Sequence, residues 1–155
     1  MYKIIDLDNC ISNDGHRLNK IDFAKSDLHD RYHAYNVYAF LDDDANMDLL
    51  QGPERIIIST SRPEQYRSLT ESWLMKRDAK IYMLMMRPDG NHASSADIKK
   101  EHYRLLINQQ YINPDDIVYA ADDNPNVIAM YQSIGVKTRH VYIMEPNKYR
   151  EQTHG

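Results

Sequence analysis

The chain has 155 residues, of which 42% are hydrophobic and 27% charged, and these values predict one globular domain with one core. The net charge is −4. Residues 1–54 hold 11 acids and 5 bases, whereas residues 62–104 hold 9 bases and 6 acids. This distribution excludes binding to nucleic acid through a general excess of basic residues. No apolar run is long enough to span a bilayer, and the acid at position 6 comes too early for a signal peptide. The single cysteine cannot form an internal disulfide, so we expect a cytoplasmic protein.

Apolar, β-branched runs alternate along the chain with segments of helical period, which predicts an α/β fold. The predicted strands are Tyr2–Leu7, Arg55–Thr60, Lys80–Met86, Asp116–Ala121 and Val136–Met144. Four helices are predicted. The first is Asp44–Leu50, ended by Gly52-Pro53, and the second is Pro63–Arg77. The third is capped by Ser94 or Ser95 and runs to Tyr111, and the fourth is Pro125–Ile134, ended by Gly135. This order favours a Rossmann-like three-layer sandwich with a mainly parallel central sheet.

One domain is expected over residues 1–155, with no large cap domain. Residues 18–43 have no clear period and are expected to form at most a small lid, and Asp42-Asp43-Asp44 is interpreted as a solvated acidic run that enters a helix. The polar residues 145–155 are expected to form a loose tail. The predicted core includes Trp73, Leu74, Met83, Met85, Met86, Ile98, Leu105 and Leu106.

Polar side chains stand where the predicted strands end and where the third helix begins. In chain order they are Asp6, Asp8, Thr60, Lys99, Asp122 and Asp123. Lys100 is the alternative to Lys99, since both lie in the first turns of that helix. Because ligands of parallel sheets bind at the carboxyl ends of the strands, we expect these side chains to converge at one rim.

The chemistry of these groups suits phosphoryl transfer. Carboxylate oxygens are the ligands that Mg²⁺ prefers in proteins. A carboxylate can also attack phosphorus and form an aspartyl phosphate, while a second carboxylate gives and takes the proton. A hydroxyl group and a lysine can hold the phosphoryl oxygens on which charge gathers. The rim therefore predicts a phosphatase that depends on Mg²⁺.

The same residues resemble the four ordered motifs of the haloacid dehalogenase (HAD) superfamily of phosphohydrolases, as Asp6-Leu7-Asp8, Thr60, Lys99 and Asp122-Asp123. More narrowly, the chain is similar to the 3′-phosphatase domain of phage polynucleotide kinases and of their stand-alone phage and bacterial relatives. The narrower similarity rests on residues 58–74, on 86–88 with 97–99, and on 121–136. It implies a phosphorylated nucleic-acid end as the substrate, with a 5′-nucleotidase acting on (deoxy)nucleoside monophosphates as the alternative.

The resemblance also implies a role for each motif residue. Asp6 would be the nucleophile and a metal ligand, and Asp8 the general acid and base. Thr60 would bind the phosphoryl oxygens, and Lys99 would neutralise the nucleophile and the phosphate. The residues that would hold Mg²⁺ are Asp6, Asp8 (through its backbone carbonyl), Asp122 and Asp123, and those that would bind the substrate are Ser61, Arg62 and Arg87.

The loop after the first motif departs from the family pattern Asp-x-Asp-Gly-Thr, because Asn9 and Cys10 follow Asp8. Asparagine tolerates the left-handed backbone that glycine adopts, so Asn9 is a mild change. Cys10 removes a hydroxyl group, and a thiol there is expected to be structural or sensitive to oxidation. These two residues leave open a non-enzymatic alternative, a HAD-like module that binds a phosphorylated end or a protein.

Three further features bear on function. His16-Arg17 matches a pair common in these relatives, and no role is assigned to it. His29 and His33 imitate a two-histidine zinc motif, but no third ligand is evident, and a polar stretch over the active site is the simpler interpretation. The sequence holds no Gly-x-x-x-x-Gly-Lys-Ser/Thr loop, so these 155 residues are not expected to supply a kinase activity of that type.

Overall fold

The computed structural model describes residues 1–145 of the chain. This part contains seven β-strands and four α-helices, joined by loops and short 3₁₀ helices. The strands are β1 (Tyr2–Ile5), β2 (Ser12–Asn13), β3 (Asp43–Asp44), β4 (Arg55–Pro63), β5 (Ile81–Arg87), β6 (Ile117–Asp122) and β7 (Thr138–His140). The helices are α1 (Leu28–Val37), α2 (Arg67–Met75), α3 (Ser95–Asn108) and α4 (Pro125–Ser133). The loose tail predicted over 145–155 lies, apart from its first residue, outside the described residues.

Five parallel strands form the central sheet in the order β5-β4-β1-β6-β7. The central strand β1 pairs on both sides, with Ile4 opposite Ile57 of β4 and Ala120 of β6. Strands buried on both faces have no polar side, and this is why β4 contains a continuous isoleucine run without alternation. The predicted α/β fold with a mainly parallel sheet is confirmed.

Helices cover both faces of this sheet. Successive side chains of a strand point to opposite faces, so Ile5 packs in one cluster with Trp73 of α2. Its neighbour Ile4 packs in the other cluster with Leu106 of α3 and Val127 of α4. The result is the three-layer sandwich that the sequence predicts, with a hydrophobic core on each side of β1.

Local sequence signals fix where α3 and α4 begin, and so where their polar residues lie. The Ser94 hydroxyl accepts a hydrogen bond from the Asp97 amide at 3.2 Å and caps α3. The Asn124 side chain accepts one from the Asn126 amide at 2.9 Å and caps α4 directly after β6. The chain leaves α4 through Gly135, whose φ of +84° suits glycine.

The helix predicted over Asp44–Leu50 is wrong. Asp43–Asp44 instead pairs antiparallel with Ser12–Asn13, and only Met47–Leu50 forms a short 3₁₀ helix. Asn46 separates the two with a φ of +49°, a left-handed conformation that a right-handed helix does not accommodate.

Three smaller predictions also differ from the structure. Leu105 is 48% exposed, because the inward position of α3 at that point is held by Leu106. β5 is an edge strand rather than a fully buried one, and its Tyr82 is 40% exposed. β7 ends at His140, four residues before the predicted end.

Residues 18–43 contain α1, the end of the 3₁₀ helix Gly15–Lys20 and the 3₁₀ helix Tyr38–Leu41. The Asp27 side chain caps α1 by accepting from the Asp30 amide at 3.0 Å. Tyr35 and Asn36 near the end of α1 are buried, so this segment packs on the domain. No helix within residues 1–145 combines the length and the apolar character needed to cross a membrane.

Candidate active site

Three elements bring polar residues together at the carboxyl edge of the sheet. Asp6 directly follows β1, Asp122 ends β6, and α3 places Lys99 between them. The Lys99 ammonium donates to Asp6 Oδ1 at 2.7 Å and to Asp122 Oδ2 at 2.5 Å, and its residue is 2% exposed. These contacts select Lys99 over its neighbour Lys100.

Three buried carboxylates, those of Asp6, Asp122 and Asp123, each have an oxygen within 4.8 Å of the others. Burial raises the pKa of Asp6 well above its ordinary value, and the negative charge of Asp122 raises it further. Burial and Asp122 likewise raise the pKa of Asp123 to about 6. Three neighbouring carboxylates repel one another when ionised, and a bound cation would offset this repulsion. Carboxylate oxygens are the ligands that a hard cation such as Mg²⁺ prefers.

Lys99 is the cation that the chain itself supplies to this cluster. Burial opposes its charge, but the neighbouring carboxylates of Asp122 and Asp6 more than offset this and raise the pKa of Lys99 well above its usual range. The ammonium of Lys99 therefore lies between the carboxylates of the first and the fourth motif, which favour its charged form.

The loop after β1 ties the acidic cluster to the segment that follows β7. Asn9 has a φ of +61°, so asparagine adopts the left-handed backbone expected of it. Its amide donates to Asp123 Oδ2 at 3.0 Å and to the Met144 carbonyl at 2.6 Å. The Met144 amide in turn donates to Asn9 Oδ1 at 2.7 Å. Cys10 is fully buried in the core, and burial raises the pKa of its thiol.

Asp8 lies beside the cluster, and two buried arginines contact its carboxylate. Arg17 donates to Asp8 Oδ1, and Arg62 Nη2 donates to the same oxygen at 2.7 Å. Both arginine side chains are fully buried. These contacts fix the position of the Asp8 carboxylate. The structure thus gives the unassigned Arg17 a position, in contact with the second aspartate of the first motif.

Asp42 completes this network, and the interpretation of Asp42 as a solvated residue is wrong. It is 1% exposed and accepts two hydrogen bonds from Arg17, both at 2.8 Å. The Ser12 hydroxyl donates to it at 2.6 Å, and His16 at 2.7 Å. Sequence reasoning missed Asp42, because it stands in an acidic run in which Asp43 and Asp44 are exposed.

The remaining motif residues line the end of β4 and β5. The Thr60 hydroxyl accepts from the Arg62 amide at 3.2 Å, which leaves its proton available to another acceptor. The Ser61 hydroxyl donates to Ser95 at 2.9 Å. Arg87 Nε donates to the Ser61 carbonyl at 2.9 Å, and burial lowers the pKa of Arg87 to about 10. Arg62 donates to Asp8 at 2.7 Å and to the Thr70 hydroxyl at 3.2 Å.

His102 is a buried histidine that sequence reasoning did not single out. It lies one turn after Lys99 on α3, its Nε2 donates to the Met86 carbonyl at 3.0 Å, and its Nδ1 accepts from Ser59 at 2.7 Å. A carbonyl can only accept, so Nε2 carries the proton that it donates. The lowered pKa of the ring leaves Nδ1 unprotonated and able to accept from Ser59. Burial lowers the pKa of His102 from 6.5 to about 4, and the positive charge of Lys99 adds to this effect.

This shift predicts that His102 makes the fold less stable in mild acid. Because the pKa of His102 is lower in the folded chain, the unfolded chain takes up the proton first as the pH falls. The contribution of His102 to the free energy of unfolding should therefore decrease by about 2 kcal/mol between pH 7 and pH 5. Urea unfolding at the two pH values should show that His102→Gln lacks this part of the decrease, and an unchanged difference in the variant would contradict the assignment.

A family model of the polynucleotide kinase PNKP phosphatase domain matches residues 2–143 of the chain. No match was found among curated protein sequences. A chain in the Pnkp1/Rnl/Hen1 RNA repair complex has a similar fold, with a TM-score of 0.66 and 23% identity over 90% of this chain. Our chain spans 42% of the length of that one.

Two smaller proteins share the fold over most of their length. A haloacid dehalogenase-like hydrolase from Streptococcus pneumoniae has a TM-score of 0.57 and 13% identity, over 88% of this chain and 82% of its own. A HAD-superfamily hydrolase of subfamily IA from Geobacter sulfurreducens has a TM-score of 0.55 and 12% identity, over 88% of this chain and 84% of its own. At these identities the likeness concerns the fold.

Proposed function

The chain belongs to the family of polynucleotide kinase PNKP phosphatase domains, and we propose that it hydrolyses 3′-phosphate ends of nucleic acids by way of an aspartyl phosphate on Asp6. The observation that carries this proposal is the Lys99 bridge between Asp6 and Asp122 at the centre of the sheet edge. It joins three of the four motifs in one buried site, and HAD phosphatase activity is the activity of the family.

In the proposed first step, the Asp6 Oδ2 oxygen attacks phosphorus, because Lys99 already holds Oδ1. A bond forms between that oxygen and phosphorus, and the bond from phosphorus to the 3′ oxygen breaks. The leaving oxygen takes a proton from Asp8, and the Thr60 hydroxyl donates to a phosphoryl oxygen. Charge that develops on the phosphoryl group is balanced in part by the Lys99 ammonium.

In the proposed second step, water replaces Asp6 on phosphorus. Asp8 is now a carboxylate and accepts the proton of the attacking water. The contacts of Asp8 with Arg17 and Arg62 hold its oxygens in place for both proton transfers. Inorganic phosphate leaves, and both aspartates return to their starting forms.

A cation completes the proposed site. Asp6, Asp122 and Asp123 would hold it, with the Asp8 carbonyl as a further oxygen ligand, and Mg²⁺ is proposed because it prefers carboxylates together with phosphate and water. When bound, it would neutralise the phosphate and the excess negative charge of the three aspartates.

The proposed substrate is large, and the small lid is consistent with this. The only α-helix of residues 18–43 is α1, so a polynucleotide end need not pass a cap domain. The non-enzymatic alternative depended on the departures at Asn9 and Cys10. It loses its support, since Asn9 adopts the left-handed backbone and contacts Asp123.

Phosphate release tests the proposal. The substrates are a 3′-phosphorylated oligonucleotide, the same oligonucleotide with a 5′-phosphate, and a mixture of nucleoside monophosphates, each with Mg²⁺ and with EDTA. We expect release from the 3′-phosphate in Mg²⁺ and at least about a hundred-fold less in EDTA. Preference for the monophosphates would replace the proposal with the nucleotidase alternative, and equal release in EDTA would exclude the metal.

A further inference from the structure

A groove of about 380 Å³ lies beside the catalytic edge, between α1 and the chain that follows β5. We call it the lateral groove. It is lined mainly by Leu28, His29, Tyr32, Asn36, Tyr66 and Arg87. Its volume lies within the range of pockets that hold small organic ligands.

Two residues connect the lateral groove to the catalytic residues. Arg87 lines the groove and donates to the carbonyl of Ser61, the residue after Thr60. Asn36 follows Tyr35, whose carbonyl accepts a 3.0 Å hydrogen bond from the Arg17 guanidinium that contacts Asp8. A ligand in the groove would therefore lie next to the groups that position the proposed acid and base.

Asn36 carries an unsatisfied hydrogen-bond acceptor in the wall of this groove. The residue is 2% exposed, and within residues 1–145 its Oδ1 has no hydrogen-bond partner. A buried acceptor without a donor destabilises a protein, and most such atoms in native proteins are paired. An N–H or O–H group of a ligand in the groove would satisfy it.

The other groups of the groove suit a flat, uncharged ligand. His33 bridges the rings of His29 and Tyr66, with ring centroids 5.5 and 5.8 Å apart, and its Nδ1 lies 2.7 Å from the Tyr66 hydroxyl. The two acids of the groove, Asp27 and Asp89, accept from the backbone amides of Asp30 and Gln65. One arginine beside two carboxylates gives no excess of positive charge for a second phosphate.

We propose that the lateral groove binds the terminal nucleoside of the substrate, with its base against Tyr32 and with one of its N–H or O–H donors on Asn36 Oδ1. The inference rests on the proposed function and names the part of the substrate that the site recognises besides the phosphate. Aromatic side chains stack on bases with little dependence on sequence, which suits an enzyme that acts on ends of any sequence.

Three substrates separate this inference from the proposed function. They are a 3′-phosphorylated oligonucleotide, the same oligonucleotide with an abasic residue at its 3′ terminus, and p-nitrophenyl phosphate, which has no nucleoside. Because a stacked base contributes substantially to binding, we expect wild type to have a KM about 5- to 100-fold lower for the intact oligonucleotide than for the abasic one. The variants Tyr32→Ala and Asn36→Leu should reduce this ratio towards one, whereas the control Tyr111→Ala, at an exposed residue outside the groove, should retain it.

The possible results have distinct meanings. A wild type that releases phosphate from both oligonucleotides with the same KM would overturn the inference and leave the proposed function intact. Loss of the ratio in Tyr111→Ala as well would also overturn it. Asn36→Leu should keep the urea midpoint of wild type, since it removes an unpaired acceptor, and a large drop would point to a structural role instead. No release from any of the three substrates would overturn the proposed function, and the inference with it.

Discussion

Asp6→Asn is expected to abolish phosphate release, with kcat at least about a thousand-fold lower than in wild type. The side chain keeps its shape, but an amide is not a nucleophile toward phosphorus and holds a cation less well than a carboxylate. The control is Asp115→Asn, which makes the same chemical change at an exposed residue that is not part of the candidate active site. Turnover of Asp6→Asn near the wild-type rate would exclude the covalent step on Asp6.

The same variant should be at least as stable as wild type when metal is absent. Asp6, Asp122 and Asp123 crowd three buried carboxylates together, and Asn at position 6 removes one of the charges that repel each other. Lys99 loses one partner but keeps Asp122 at 2.5 Å. Thermal unfolding in EDTA and in Mg²⁺ measures this, and the rise in Tm on adding Mg²⁺ should be smaller in the variant because a ligand has been lost. Loss of activity together with unfolding would leave the nucleophile unproven.

The catalytic edge could be predicted from the sequence because its signals are local. β4 contains an unbroken isoleucine run because both of its faces are buried, and the run stops at Ser59, directly before Thr60. Ser94 marks the start of α3 and Pro125 that of α4, through local signals that depend on a few neighbouring residues. Once the strands are parallel, their carboxyl ends share one edge, and Lys99 meets Asp6 and Asp122 there.

The groups around Asp8 could not be predicted, because their contacts are long-range. Arg17 and Asp42 are 25 residues apart, and both stand in a segment without helical or strand period. Nothing in the acidic run distinguishes Asp42 from Asp43. The difference arises in the tertiary structure, where Trp73 and Arg77 of the α2 region each donate to the Asp42 carbonyl at 2.8 Å and fix its backbone.

Asp42→Asn is expected to lower the free energy of unfolding by about 3–5 kcal/mol, because removing one partner of a buried ion pair leaves the other charge uncompensated. In the wild type, Asp8 and Asp42 together offset the charges of Arg17 and Arg62, all four buried. With asparagine at position 42, two guanidinium groups would remain against the single carboxylate of Asp8. Urea unfolding at pH 7 gives the loss directly.

Asp43→Asn is the matched control for this loss, since it alters the next residue of the same run at an exposed position. Its free energy of unfolding should stay within about 0.5 kcal/mol of the wild-type value, as is usual for surface substitutions. If the two variants unfold at the same urea concentration, Asp42 is no more important than a solvated residue. If only Asp42→Asn is destabilised, its kcat should fall as well, because Arg17 is then held by fewer contacts and positions Asp8 less firmly.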